Sequence, residues 1–236
     1  MTISRSVFAP LACSVFLHAA VGAEPDQDWM DWDVEERVAA VSGGELRLLP
    51  EGVPDGVHVH RNLIRITAES LSDGWVSLEQ CHEDLDQVPA VEVTFNPERI
   101  RGLRVTESDR IGSVRVEGHR VQLKQVGPRS RLCIVAESRS LWDVGSGRYR
   151  LRNGPYMRRF LDGYYPMSVR IEIRYPTGLL EFSRSAPNAQ PGFCLRDEPG
   201  LLLAETAFEG MLYTCFDFRG EEADGKEMPE LPCGAD

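Results

Sequence analysis

The sequence predicts a mainly β protein, an antiparallel β-sandwich built as one large or two small β-domains. It adds a short N-terminal helix and a second short helix near 155–161. Three observations carry this. Short stretches alternate apolar and polar residues with period two, as in "AVEVTFN" (90–96), where Val91, Val93 and Phe95 share a face. Glycine-bearing turns separate these stretches at the spacing of a sandwich or barrel. Helical spacing is confined to two places, each with its own start and stop residues.

Residues 1–23 read as a secretory signal. Arg5 gives the positive start, "VFAPLACSVFLHAAV" the apolar run, and Val21-Gly22-Ala23 the small-x-small cleavage pattern, so the mature chain is expected to begin at Glu24. A lipoprotein reading at Cys13 is disfavoured, because Pro10 occupies the place where leucine is wanted. Residues 24–43 form an acidic arm. In it Asp33 and Glu36 make a capping-box pattern, Val34, Val38 and Val41 fall at helical spacing, and Gly43 and Gly44 stop the helix. Trp29 and Trp32 are expected to pack the arm down.

A first β-rich block covers 44–142. "ELRLLP" is a short strand. "GVHVHRNLIRIT" and "GWVSLEQC" flank "SLSDG", a hairpin connection in which Gly74 supplies a positive φ. "GSVRVEGHRVQL" turns at Glu117-Gly118-His119, and "RLCIVAES" closes the block. A second block, 143–218, contains "RYRLR", "SVRIEIRY", "GLLEFS" and "MLYTCFDF" as strands; from Arg219 the tail, 219–236, is polar, acidic and expected to be mobile.

Between the first two strands of the second block lies "RNGPYMRRFLDGYYP" (152–166). Pro155 suits a first helical position, Tyr156/Phe160 and Met157/Leu161 are i,i+4 pairs, and Asp162-Gly163 is a stop, which predicts two helical turns. Arg148, Arg150 and Arg152 alternate along the preceding strand, and Arg170 and Arg174 along the following one. If those strands were neighbours, they would present a net-positive face on an acidic protein. Guanidinium forks suit carboxylate and phosphate. The candidate ligand-binding set is therefore Arg148, Arg150, Arg152, Tyr156, Arg158, Arg159, Tyr164 and Tyr165, with an anionic ligand or an envelope protein as partner. The competing reading pairs these arginines with the chain's own Asp and Glu across strands.

Four histidines remain after the leader. His58 and His60 point to one strand face, and a hairpin turn at "SLSDG" brings His82 beside His60 and Asn62. Imidazoles clustered with a carboxylate suit zinc, copper or nickel, so His58, His60 and His82 are the candidate metal set. No other cofactor is expected. His119, in a turn, reads as solvated.

The net charge is −11, and loss of Arg5 with the leader makes it one unit more negative. Such a chain lacks the phosphate-neutralising surplus that nucleic-acid binding needs. Beyond the leader no apolar run is long enough to span a membrane. Without Cys13, five cysteines remain and none forms a CxxC; in an exported protein disulfides are the default, here expected as Cys81–Cys133 and Cys194–Cys215 with Cys233 spare. Missing Asn-x-Ser/Thr sequons fit a bacterial periplasm. Sequence signatures of serine hydrolases, zinc peptidases, P-loops and dinucleotide folds are absent; Ser146 in "VGSGR" lacks the strand and helix of a nucleophile elbow. The expectation is an exported, non-enzymatic binding or accessory protein. A metal-binding protein and an envelope hydrolase with unassigned residues are the alternatives.

Overall fold

The computed structural model describes residues 43–221, 223 and 233. The expected leader, the arm helix with Trp29 and Trp32, and most of the acidic tail lie outside them.

About two thirds of the described residues are strand, and helix is confined to a single turn among them. Two-residue alternation folds as expected: β2 (Val59–Arg65) and β3 (Trp75–Glu83) run antiparallel, joined through a single helical turn, α1 (Ser70–Asp73). Gly74 caps α1 at φ 78°, and a Cβ there would stand 2.6 Å from the carbonyl oxygen of Leu141, so only glycine fits. The register sets His60 opposite His82 and Asn62 opposite Gln80.

β4 (Ala90–Thr94), β5 (Ile100–Glu117) and β6 (Arg120–Arg139) follow. β6 is the seam of the large sheet. Its first half pairs with β4, its second half with β3, and β5 runs along its other edge throughout, with three register shifts that bend the ribbon. The rest of the sheet comes from far along the chain. β11 (Met167–Arg174) lies parallel to β2 and antiparallel to β14 (Leu201–Glu209). Both β1 (Arg47–Leu48) and β13 (Phe193–Glu198) border β14. The two β-rich blocks expected on either side of residue 142 therefore share one nine-stranded sheet.

A second sheet has the order β12 (Leu180–Ala186), β15 (Leu212–Gly220), β8 (Arg148–Tyr156), β7 (Leu141–Gly145). The two sheets face each other over one apolar core. Ile64, Leu78, Ile171, Ile173, Leu202 and Phe208 come from the large sheet, and Leu151, Phe216 and Phe218 from the small one. Removing such residues from water is the main stabilising term of the fold. A separate small core, with Leu85, Val121, Leu123 and Val126, fills the far end of the β4–β6–β5 ribbon. This is the mainly β, sandwich-like architecture that the alternation predicts.

Three expectations are corrected. Residues 155–161 are not helical: β8 continues through Tyr156, and β9 (Arg158–Phe160) forms a hairpin with β10 (Gly163–Tyr165). Tyr156 is claimed by the strand ladder, opposite Leu212, and Phe160 packs edge-on against Tyr165 across the hairpin instead of against Tyr156. Gly154, at φ 103°, lets the β8 backbone approach Leu212, whose carbonyl would stand 2.6 Å from any Cβ. Secondly, β8 and β11 belong to different sheets, so their arginines do not form one face. Thirdly, Cys81–Cys133 forms as expected, directly across the β3–β6 ladder, but Cys215 bonds to Cys233 and Cys194 is free and exposed. Cys194 sits on β13 in the large sheet and Cys215 on β15 in the small one, so strand placement separates the expected partners.

Candidate functional site

The alternation that buries Ile64 and Leu78 also turns His58, His60, Asn62, Gln80 and His82 toward the inner face. All five are buried, at 5–8% exposure. A core position filled by an imidazole or amide is costly unless its polar atoms are bonded. Here they form two relays. Gln80 Nε2 donates to His82 Nε2 at 2.7 Å, which leaves the hydrogen of His82 on Nδ1, facing His58 Nε2 at 2.9 Å. His60 Nε2 donates to Asn62 Oδ1 at 2.9 Å, and Asn62 Nδ2 donates to the phenol oxygen of Tyr156 at 2.6 Å. The rings also pack: His60 and His82 have centroids 4.5 Å apart, and Tyr156 stands edge-on to His60 at 5.0 Å.

Burial keeps these imidazoles neutral. It lowers His58 to about 3, reinforced by His60 and Arg158 and opposed by Asp86. It lowers His60 to about 4 against the opposing bonds from Asn62 and Gln80. His82 lies well below its ordinary value through burial, then through His60 and His58. Burial likewise pushes the Tyr156 phenol up, against the Asn62 bond.

These side chains line a cavity of about 630 Å³. Its walls include apolar Leu78, Val93, Phe95 and Ile100, together with Arg99, Arg152, Arg158 and Arg159. The two candidate sets, far apart in sequence, therefore meet in part. His58, His60 and His82 share the cavity with Arg152, Tyr156, Arg158 and Arg159, whereas Arg148, Arg150, Tyr164 and Tyr165 do not line it.

The arginines divide by partner. Arg150, 4% exposed, makes a bidentate pair with Asp217 at 2.6 and 2.8 Å, and Arg184 joins the same carboxylate at 2.8 Å. Arg148 donates to the Gly145 carbonyl. Arg158 forks onto Asp86, its Nε 2.9 Å from Oδ2, and donates to the Pro166 carbonyl, which fixes the β9–β10 hairpin beside the cavity. Arg159 is exposed and lies over the Tyr164 ring at 5.5 Å. Tyr164 reaches Met211, and Tyr165 donates to Asp162. On the outer face, Arg170 pairs with Glu205 and Arg174 with Glu172.

Beside Arg152 lies a feature the sequence does not announce. The Arg152 N–H donates to the Ser140 carbonyl at 2.9 Å, and Asn153, the next residue, pairs in the ladder with Thr214. Ser140 Oγ, Asn153 Nδ2, Thr214 Oγ1 and Trp142 Nε1 are all buried without a hydrogen-bond partner. The Trp142 ring carries the guanidinium of Arg99 at 5.1 Å and that of Arg152 at 5.8 Å. No local pattern marks these residues, which lie near the point where the chain passes at Ser140 from β6 of the large sheet to β7 of the small one.

Among the described residues, no group of three or more His, Cys, Asp or Glu is arranged to hold a metal ion, and no helix is long and apolar enough to cross a membrane.

No family model matches the chain, and no curated protein matches it. Two solved structures are similar to it. One is a mutant M1 zinc metallopeptidase from Deinococcus radiodurans bound to a Tyr-Ser-Ala substrate, with a TM-score of 0.37, 10% identity, and coverage of 76% of this chain and 43% of that one. The other is a mutant two-domain M1 zinc metallopeptidase bound to L-tryptophan, with a TM-score of 0.38, 10% identity and the same 76% and 43% coverage. The chain thus spans less than half the length of either, and a likeness at this level bears on neither its fold nor its chemistry.

Proposed function

We propose that the protein is an exported, non-enzymatic binding protein of the cell envelope, which takes a small ligand into the cavity between its sheets. One observation carries this. Six buried polar side chains, His58, His60, Asn62, Gln80, His82 and Tyr156, occupy core positions together and line a 630 Å³ space in place of a packed apolar core. Apolar walls with a few convergent polar groups are what a ligand site requires. Asn62 donates to Tyr156, so the hydrogen of the phenol is directed away from Asn62, toward another acceptor. Imidazoles this weakly basic are poor general bases at neutral pH, which supports binding over catalysis. The leader-like segment and the Cys81–Cys133 and Cys215–Cys233 bonds support an oxidising compartment such as the periplasm.

Native mass spectrometry of the untagged protein, isolated from the compartment to which it is exported, tests the reading. The expected result is a mass above the polypeptide by one organic molecule, lost when Val93→Trp fills the cavity. A bare mass for the wild-type protein, unchanged after incubation with a cell extract, overturns it. The same spectrum separates the second reading, a divalent metal at the histidines, whose support is the facing nitrogens of His58 and His82.

A further inference from the structure

The reading of the cavity as a ligand site leaves the ligand's chemistry open, and the orphaned polar atoms narrow it. Six buried side-chain nitrogen or oxygen atoms among the described residues lack a hydrogen-bond partner, and two of them, Ser140 Oγ and Asn153 Nδ2, belong to residues that line the cavity beside Arg152. A buried polar group without a partner costs on the order of 1–3 kcal/mol. Two on one cavity wall point to a missing partner more readily than to two independent defects. Ser140, 7% exposed, and Asn153 both line the cavity.

The chemistry of the group is one-sided. The Asn153 amide nitrogen only donates, and the Ser140 hydroxyl can donate. Arg99 and Arg152 also line the cavity and bring positive charge, and a guanidinium supplies donor atoms and no acceptor atom. Burial lowers Arg152 below its ordinary value, and the charges of Arg99 and Arg150 add to the lowering. A group that completes this set must accept hydrogen bonds and carry negative charge.

We infer that the Ser140–Asn153 end of the cavity, beside Arg99 and Arg152, is an oxyanion subsite, and that the ligand is a small organic acid. Its carboxylate, sulfate or phosphate sits against Ser140 and Asn153, and its body lies along Ile100, Phe95 and Leu78 toward Tyr156. Strand geometry sets the length. Arg152 and Tyr156 are four residues apart on β8, so at about 3.4 Å per residue the two ends lie within about 14 Å of each other. That span suits a single-ring or short-chain acid. The inference rests on the cavity being a ligand site but fails separately from it.

Isothermal titration and thermal unfolding at fixed ionic strength test it with four probes: inorganic phosphate, acetate, 3-phenylpropionate and the uncharged 3-phenylpropanol. The expected result is that 3-phenylpropionate binds at least tenfold more tightly than 3-phenylpropanol. Ser140→Ala combined with Asn153→Leu should erase that preference without lowering the melting temperature of the unliganded protein, since both substitutions remove orphaned polar atoms. Whichever of phosphate and acetate alone raises the melting temperature identifies the head group. Equal binding of acid and alcohol overturns the oxyanion subsite and leaves the cavity reading standing. Acid binding that survives the double substitution unchanged places the anion elsewhere and also overturns it. Binding of none of the four at 10 mM, together with a bare native mass, sinks both.

Discussion

Asn62 on β2 donates its amide hydrogen to the phenol oxygen of Tyr156 on β8, 2.6 Å away, and so joins the two sheets by a single polar bond at the edge of the apolar core. Both residues are buried, and the His60 bond to Asn62 fixes which way the amide points.

Tyr156→Phe removes the acceptor and leaves that amide unsatisfied. Unfolding free energy should fall by about 1–3 kcal/mol in urea titrations. Adding Asn62→Leu should recover part of the loss, because replacing both partners by apolar groups is far less costly than removing one. A double variant as damaged as the sum of the singles would show that the bond is not the coupling.

Stability should fall in mild acid. His58 and His60 are lowered when folded, to about 3 and about 4, and His82 is lowered as well. Below the ordinary histidine value of about 6.5, the unfolded chain therefore binds protons that the folded one does not. The contribution of these groups is whole above that pH and declines as pH falls toward 4, with a ceiling of about 4 kcal/mol per pH unit for three groups. Urea unfolding at pH 7.5, 6 and 5 measures it. His82→Gln should flatten the slope by roughly a third; an unchanged slope would place the proton uptake elsewhere.

Both nitrogens of His82 and the Nε2 atoms of His58 and His60 are engaged with one another or with Asn62 and Gln80. EDTA should accordingly leave the melting temperature unchanged within a degree. A chelator-induced drop of several degrees would establish the metal reading instead.

Asp217 is 2% exposed and holds both Arg150 and Arg184. Asp217→Ala strands a buried guanidinium and should cost about 3–5 kcal/mol by urea unfolding. Arg61→Ala, which breaks a half-exposed pair with Glu83, should cost less than about 1 kcal/mol.

The mature chain, denatured without reductant, should titrate with Ellman's reagent as one thiol, Cys194, and peptide mapping should find Cys215 joined to Cys233. Three thiols would break one of the two bonds, and five would remove the argument for an oxidising compartment.

The legible part of this protein was its period-two alternation. Residues 58–66 and 75–83 alternate, and with the turn at "SLSDG" that alternation brought His82 near His60 and Asn62; the structure sets His60 directly opposite His82. Other elements were settled by partners far away in sequence. Pro155 and the Tyr156/Phe160 spacing suit a helix as well as a hairpin, and the deciding contacts, to Leu212 and Asn62, are non-local. β14, "LLLAETAFE", gave no strand signal because it opens on an unbroken apolar run and mixes Ala204, Thr206 and Ala207 between its two faces. The Ser140–Asn153 group had no signature at all, since neither residue is unusual in its own strand and only the change of sheet at Ser140 brings them together.

The parallel ladder between β2 and β11 joins residues 59–65 to residues 168–174. A chain made from its N-terminus can close the β2–β3 hairpin early. The other edge of β2, with its open row of amides and carbonyls, waits for about a hundred further residues to be delivered. For most of that interval the His58–Asn62 face is also wet, because its covering residue, Tyr156, has not yet arrived. The lining of the cavity and the edge of β2 are therefore both completed late, by neighbouring parts of the chain. A fragment ending before Tyr156 would keep the open edge of β2 and lack the residue that covers the histidines: it would be a sticky half-sheet without a closed cavity.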